Sequence, residues 1–313
     1  MPRFRILITD GLDNTGQSIL REAVEVDDRT GITPDELLGA VADYEGLVIR
    51  GRTKVTAAVI EAGKALRVIG RAGVGVDNID LEAARNRQIT VVNAPTSTTG
   101  AVTELTFGLL LALAREIPRA DAAMKSGSWL KNELQGVELV GKTLGIIGFG
   151  RIGMELGRRA AAFGMNIVAY DPLVQEDAIQ AGGAESVSLQ DLYAWSDFIS
   201  LHLPFDVQSR DLIGPLAMAQ MKDGVRIICV ARGGIIDETA LLSALHSGKV
   251  AGAALDVFQT EPPGATDLVK HPHVIATPHI GAQTAEAQAR AAEDIAHEVL
   301  AALQNQPLQW KVA

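Results

Sequence analysis

Short apolar runs and helix-like segments alternate along this chain almost from end to end, and that alternation admits few folds. In the first hundred residues, 5–9, 46–50, 65–70 and 89–93 read as strands, each an aliphatic run closed by polar or glycine-containing sequence. Between them, 15–24, 34–41, 56–62 and 81–87 read as helices. Strand–helix alternation of this kind builds a mostly parallel sheet covered on both faces. Doubly covered strands need compact aliphatic side chains, and the composition supplies them: 47% of residues are hydrophobic and only 4% aromatic.

A helix over 103–114 follows, apolar almost all round and closing near Arg115-Glu116-Ile117-Pro118. Such a helix should be buried between domains or subunits. A polar connector past Trp129 leads to a second alternating block that opens at Lys142, with strands at 143–147, 166–170, 198–201, 225–230, 251–255 and 274–276. An amphipathic helix at 285–303 and a tail at 307–313 close the chain. At 313 residues the chain exceeds the length at which one hydrophobic core keeps growing, so the expectation is an α/β protein of two doubly wound parallel-sheet domains.

The formal charge of −10 argues against nonspecific nucleic-acid binding, which depends on Lys and Arg opposing phosphates. It leaves room for an anionic substrate, because a local cationic cluster outweighs a distant negative average. Cys229 is the only cysteine, which excludes an intrachain disulfide and reads as a small core residue. The apolar stretch Ile6-Leu7-Ile8 is too short for a signal peptide, and no segment approaches the ~18 apolar residues of a membrane span. The expected location is the cytoplasm. No pair of histidines has metal-ligand spacing, and no metal is expected.

Gly148-Phe149-Gly150-Arg151-Ile152-Gly153 is a Gly-x-Gly-x-x-Gly sequence. Alone it is weak, since glycine is abundant here. It follows the apolar strand Leu144-Gly145-Ile146-Ile147 and enters a helix-like run at 154–163, and a second strand then ends in Tyr170-Asp171. That is the pattern of a dinucleotide-binding turn. Gly148 permits the tight turn, Gly150 lets a pyrophosphate approach the backbone, and Gly153 lets helix pack on strand. Helix N–H groups and dipole favour the phosphates. Asp171 can accept both ribose hydroxyls and would repel a 2′-phosphate, so NAD is expected over NADP. His202, in Ser200-Leu201-His202-Leu203-Pro204, lies at another strand end, where it and Pro204 are expected to line the cofactor crevice.

Three more strands end in ionisable residues: 225–230 in Ala231-Arg232-Gly233-Gly234, 251–255 in Asp256 and onward to Glu261, and 274–276 in Thr277-Pro278-His279. Ligands of open parallel sheets bind at the carboxyl ends of strands, so Arg232, Glu261 and His279 can meet in one crevice. Taken singly each has an ordinary explanation, as a surface arginine, a turn glutamate or a loop histidine. Together they match hydride chemistry. Histidine is suited to take the hydroxyl proton, a carboxylate behind it fixes its tautomer, and arginine's planar fork holds a substrate carboxylate.

With these residues the chain resembles the D-isomer-specific 2-hydroxyacid dehydrogenase family, and within it the phosphoglycerate branch. The resemblance spans nearly the whole chain and is carried by Arg71-Ala72-Gly73-Val74-Gly75-Val76-Asp77-Asn78, Val92-Asn93-Ala94-Pro95 and residues 49–56, 141–153, 231–238, 255–262 and 277–281. It implies NAD-dependent oxidation of D-3-phosphoglycerate, with Arg232 binding substrate, Glu261 orienting the histidine and His279 as acid/base. It implies NAD contacts at Arg151, Ile152, Asp171, Val230, Ala231, Arg232, Asp256 and the His279–Ala282 turn, which includes Gly281. A Rossmann NAD-binding domain at 101–284 and a flavodoxin-like substrate domain at 1–100 and 285–313, hinged to it, are also implied. So are a homodimer joined through the cofactor domains and a form without the regulatory C-terminal domain of longer members.

On the substrate side Arg50, Arg52 and Lys54 follow one strand and Arg71 another, so these cations, Arg52 or Lys54 foremost, are expected to receive a phosphate. The Gly73-Val74-Gly75 backbone is expected to donate to a carboxylate. A solvated basic edge would look the same in sequence. Gly51 stands where the phosphoglycerate branch often has Ser, 96–99 replaces a common Gly-Asn loop, and Val230 replaces a frequent Asn. The alternatives left open are a hydroxypyruvate or glyoxylate reductase, a sulfolactate-type dehydrogenase and, in another class, an NAD-sensing binding module. The intact Arg–Glu–His set argues against the last.

Overall fold

The computed structural model describes residues 4–313; residues 1–3, assigned above to the first domain, lie outside the described residues. In chain order the first elements are β1 (Arg5–Ile8), α1 (Asn14–Ala23), β2 (Glu25–Asp28), α2 (Pro34–Ala40), β3 (Gly46–Ile49), α3 (Ala57–Ala62), β4 (Val68–Arg71), α4 (Leu81–Asn86) and β5 (Thr90–Asn93). Two consecutive helices, α5 (Thr99–Ala114) and α6 (Ile117–Lys125), follow. Then come β6 (Thr143–Ile147), α7 (Arg151–Ala162), β7 (Asn166–Tyr170), α8 (Glu176–Ala181), β8 (Glu185–Ser186), α9 (Leu189–Trp195) and β9 (Phe198–Leu201). The last group is α10 (Pro215–Gln220), β10 (Val225–Cys229), α11 (Glu238–Ser247), β11 (Val250–Leu255), α12 (Asp267–Lys270), β12 (Val274–Ala276) and α13 (Ala285–Leu303).

The described chain divides into two compact units, residues 4–99 with 282–313 and residues 100–281. The first holds a parallel sheet of order β2-β1-β3-β4-β5, the flavodoxin-like arrangement. Alternate residues enter opposite faces: Leu7, Leu47, Ile69 and Val91 one core, Ile6, Ile8, Val48 and Val68 the other. The second core is completed by Ala292, Ile295 and Val299 of α13. That helix lies so close that a Cβ at Gly70 would stand 2.5 Å from the Val299 side chain. The tail runs antiparallel beside β5, with Val312 N donating to Val91 O (2.8 Å) and Val91 N to Ala313 O (2.9 Å).

The second unit has the parallel order β12-β11-β10-β9-β6-β7-β8. The sequence runs outward from β6 in one direction and from β9 in the other, so the order reverses between β6 and β9, where doubly wound sheets open their ligand crevice.

Three local expectations need correction. The strand β2, Glu-Val-Asp-Asp, went unnoticed because it has no apolar run; as an edge strand it needs none, and charge there discourages pairing with other chains. The stretch 115–118 was read as the end of a helix before a polar connector. Glu116 does break α5 in a left-handed conformation (φ 51°), but Pro118 sits in the first turn of α6, where its missing N–H costs nothing. Finally, α5 answers much of its apolar surface inside its own unit, since Leu109, Leu110 and Leu113 pack in the core with Ile146 and Ile228.

Candidate active site

In the second unit every expected cofactor or catalytic side chain follows the carboxyl end of a strand. After β6, Gly148 has φ +94°, and a Cβ there would lie 2.7 Å from the His202 carbonyl carbon, so this turn requires glycine. A Cβ at Gly153 would collide with the Gly148 carbonyl oxygen, which ties the start of α7 to the turn. Around Gly150, by contrast, nothing lies within 4 Å of a built Cβ. Open space at the second glycine, in front of the α7 N-terminus that begins at Arg151 and Ile152, fits the approach of a pyrophosphate.

Asp171 follows β7. Its Oδ2 accepts from Phe149 N (2.7 Å), and Oδ1 from Leu173 N (2.8 Å) and Val174 N (3.2 Å). The carboxylate thus holds the glycine turn before any ligand arrives, and Oδ2, which accepts one bond, keeps lone-pair capacity for a hydroxyl donor. His202, after β9, has Nε2 2.8 Å from Ser200 Oγ, while Nδ1 is out of solvent without a hydrogen-bond partner. Burial pushes its imidazole down to about 4, so it is neutral at physiological pH. Pro204 is exposed beyond it.

The catalytic candidates follow β10, β11 and β12, three adjacent strands. Val230 is buried, and Ala231 and Arg232 are half-buried. Arg232 Nη1 donates to Ala231 O (2.7 Å). Glu261 Oε2 lies 2.7 Å from His279 Nδ1, and Glu261 Oε1 accepts from Phe258 N (3.1 Å). The expected His–Glu pair is therefore formed. Its histidine side chain remains 50% exposed.

Asp256, expected among the cofactor contacts, also has a task within the protein itself. It is wholly buried, and its carboxylate accepts from Thr277 Oγ1 (2.6 Å), Ile280 N (2.8 Å) and Gly281 N (2.8 Å), while its carbonyl accepts from His279 N (2.9 Å). It fastens the turn that carries His279 in a left-handed conformation (φ 53°). Ala282 opens the returning segment of the first unit, where its carbonyl accepts from Gln288 Nε2 (2.6 Å). Two residues that motif reading passed over shape this end of the sheet. Thr277 bonds Asp256, and Glu238 Oε1 accepts from Gln259 N (2.6 Å). Their signal was only proximity to a strand end.

The first unit gathers its cations around a carboxylate that the sequence reading also passed over. Asp10, directly after Thr9 at the end of β1, accepts from Arg50 N (2.8 Å), Thr53 N (3.0 Å) and Thr53 Oγ1 (2.5 Å). Burial would raise its pKa, but these hydrogen bonds and the Arg52 charge together hold it below the ordinary carboxylate value. Asn78 Nδ2 donates to Arg50 O (2.9 Å) and Thr53 O (2.6 Å) and completes the clamp. Arg52 pairs with Asp10 (3.1 Å) and donates to Thr9 O (2.6 Å) and Ile32 O (3.0 Å). Its guanidinium is thus engaged with the loop after β1 and with Ile32, while the side chain stays 50% exposed. Arg50 is half-buried, with Nη2 3.5 Å from Gln283 Oε1, and Lys54 is exposed. Arg71 is half-buried with its guanidinium against Gly73, where any Cβ would strike it. Val74 is exposed and Gly75 half-buried.

Among the described residues no group of His, Cys, Asp or Glu side chains is placed to hold a metal ion, and no helix is long and apolar enough to cross a membrane. Cys229 is buried, and burial raises its thiol to about 11. A cavity of about 480 Å³ lies at the opposite, amino end of β10–β12, lined in part by Glu116, Arg119, Arg226 and His246; it holds none of the expected catalytic groups.

Comparison with known proteins agrees with this geometry. A D-3-phosphoglycerate dehydrogenase from Methanocaldococcus jannaschii is 48% identical over 96% of this chain, which spans only 58% of that relative's length. A hydroxypyruvate reductase from Thermotoga maritima is 47% identical over 96% of this chain and 98% of its own. A glyoxylate reductase structure from Paecilomyes thermophila, 31% identical, superposes with a TM-score of 0.91 over 100% of this chain and 99% of that one. Residues 107–281, more than half of the chain, match the model of the D-isomer specific 2-hydroxyacid dehydrogenase NAD binding domain. A chain with this match, a glycine turn shaped for a dinucleotide and a His–Glu pair on the same sheet belongs to the D-isomer specific 2-hydroxyacid dehydrogenase family.

Proposed function

We propose that this protein oxidises D-3-phosphoglycerate to 3-phosphohydroxypyruvate with NAD. The observation that carries the reaction class is the 2.7 Å contact between His279 Nδ1 and Glu261, beside the strand end that bears Arg232. With Nδ1–H donated to the carboxylate, the Nε2 lone pair faces outward and takes the substrate's hydroxyl proton. Arg232 holds the substrate carboxylate through its planar fork and orients C2. A dinucleotide held by the Gly148–Gly153 turn and Asp171 would supply the hydride acceptor for C2. Arg50, Lys54 and Arg71 receive the phosphate, with the Gly73–Gly75 backbone on the carboxylate. The identity to phosphoglycerate dehydrogenases supports this substrate.

A second reading, hydroxypyruvate reduction, is favoured by two observations. The relative of that name is matched over 98% of its length, and Arg52, expected foremost at the phosphate, is paired with Asp10. We also propose a cytoplasmic homodimer; the exposed apolar residues Ile117, Met124, Trp129, Val140 and Phe163 of the second unit support self-association, which sedimentation tests directly.

The deciding experiment is kcat/KM for 3-phosphoglycerate, glycerate, hydroxypyruvate and glyoxylate, each with NAD(H) and NADP(H). The expected result is preference for the phosphorylated acid and for NAD, because Asp171 repels a 2′-phosphate. Equal or better turnover of hydroxypyruvate would select the second reading. His279→Ala should lower turnover by ~10²–10⁴-fold and leave NADH binding intact.

A further inference from the structure

Glu261, the carboxylate partner of His279, stands on a loop with little of its own to hold it. Phe258 is buried, but Gln259, Thr260, Glu261 and Pro262 are all exposed. Glu261 must present one carboxylate oxygen to His279 while the other turns back on Phe258 N. Two contacts from the Arg232 side fix the base of this loop. Gly233 packs so tightly on the Phe258 carbonyl that no Cβ fits between them. Glu238, in the first turn of α11, accepts the Gln259 N–H at 2.6 Å. Residues 232–238 therefore carry the arginine at one end and, at the other, the carboxylate that sets the height of the glutamate loop.

We infer that Glu238 is a positioning residue for catalysis, acting through the Gln259 N–H to hold Glu261 against His279. The inference rests on the proposed role of His279 as the proton acceptor. Gln259 is exposed, so water can replace the lost acceptor, and removing Glu238 should cost little stability. Its cost falls on geometry. A carboxylate displaced by ~1 Å no longer fixes the imidazole, and misplacement on that scale lowers rates by as much as ~10²-fold. Glu238 touches neither substrate nor reacting atoms in this role, so KM and cofactor affinity should stay near wild type.

The test is a double-mutant cycle on the full chain, with turnover, NADH affinity and melting temperature measured for Glu238→Ala, Glu238→Gln, Glu261→Gln and the double variant Glu238→Ala/Glu261→Gln. Glu238→Ala should lower kcat by ~10–10²-fold with KM little changed. Glu238→Gln should recover most of the loss, because its amide oxygen can still accept the Gln259 N–H. In the Glu261→Gln background, Glu238→Ala should have almost no further effect, since residues acting through one contact are strongly non-additive. A parallel readout independent of turnover is the ring-proton NMR signal of His279 Nδ1–H. It should be sharp in wild type and Glu238→Gln and broadened in Glu238→Ala. Additive losses in the cycle, or a Glu238→Ala enzyme with wild-type kcat and an unchanged His279 signal, overturn the inference. Failure of wild type to turn over any hydroxy acid, with the NMR signals behaving as expected, overturns the functional reading and leaves the positioning contact standing.

Discussion

Both sheets place a buried carboxylate directly after one strand and use it to shape the loop leaving the neighbouring strand, yet the two loops end up with opposite character. Asp10 follows β1 and gathers the loop after β3; Asp256 follows β11 and gathers the turn after β12. Asp10 takes two backbone N–H groups and a threonine hydroxyl, and then a guanidinium as well, Arg52 at 3.1 Å. Asp256 is satisfied by two N–H groups and one hydroxyl and takes no cation. Because neutral donors alone complete Asp256, the functional side chain of its turn, His279, is left facing outward to pair with Glu261. In the first unit the clamp consumes one of the cations that the loop displays. A carboxylate nest thus leaves the charged side chain of its loop unpaired with it when dipoles satisfy it, and engages one when a charge does.

The largest expected effect tests the catalytic clamp. Asp256→Asn puts an NH₂ group among N–H and hydroxyl donors in a wholly buried site, so the His279 turn must shift. We expect kcat to fall by ~10²-fold or more while NADH still binds. Wild-type kcat would mean that the backbone alone sets the turn, and the analogy between the two clamps would break.

A smaller and more selective effect separates the cations of the first unit. Lys54→Ala should raise KM for 3-phosphoglycerate ~10–150-fold and leave glycerate nearly unchanged, the size expected for one charge-assisted contact to phosphate. Arg52→Ala should treat both substrates alike and instead lower stability by about 1 kcal/mol, since its half-exposed guanidinium braces Asp10 and two carbonyls. A loss selective for the phosphorylated substrate in Arg52→Ala would return that residue to the recognition set.

The smallest effect is on stability against pH, and the two units should respond in different windows. Burial of His202 lowers its pKa from 6.5 to about 4, so the unfolded chain binds a proton there that the folded chain refuses. Its contribution is present above pH 6.5 and is lost as pH falls toward 4. Asp10 is also depressed, but from 3.8, so its contribution is intact through that window and is lost only as pH falls below it, through the folded value. Melting curves of His202→Asn should lose the slope between pH 6.5 and 4 and keep the steeper fall below. An unchanged slope in that variant would show that His202 takes up its proton in the folded state too.

The sequence by itself determined the alternation of strands and helices, the glycine turn, Asp171 at its offset and the three ionisable strand ends. These features are local: periodicity, φ requirements and residue order are properties of neighbouring positions, and parallel strands in a doubly wound sheet send all their carboxyl ends to one side. Two elements escaped that logic for equally local reasons. Strand β2 has no apolar run because an edge strand needs none, and α6 begins at a proline that reads as a stop. What only the tertiary structure decided is which partner each strand-end group meets. Asp10 and Arg52 are separated by most of a β-α-β-α-β path, and Asp256 and Thr277 by helix α12 and strand β12, so no spacing rule pairs them. Strand order brings β1 beside β3 and β11 beside β12, and burial then forces every carboxylate at those ends to find donors. That requirement, invisible in one dimension, is why Arg52 pairs with Asp10 and why Asp256 fastens the turn that carries His279.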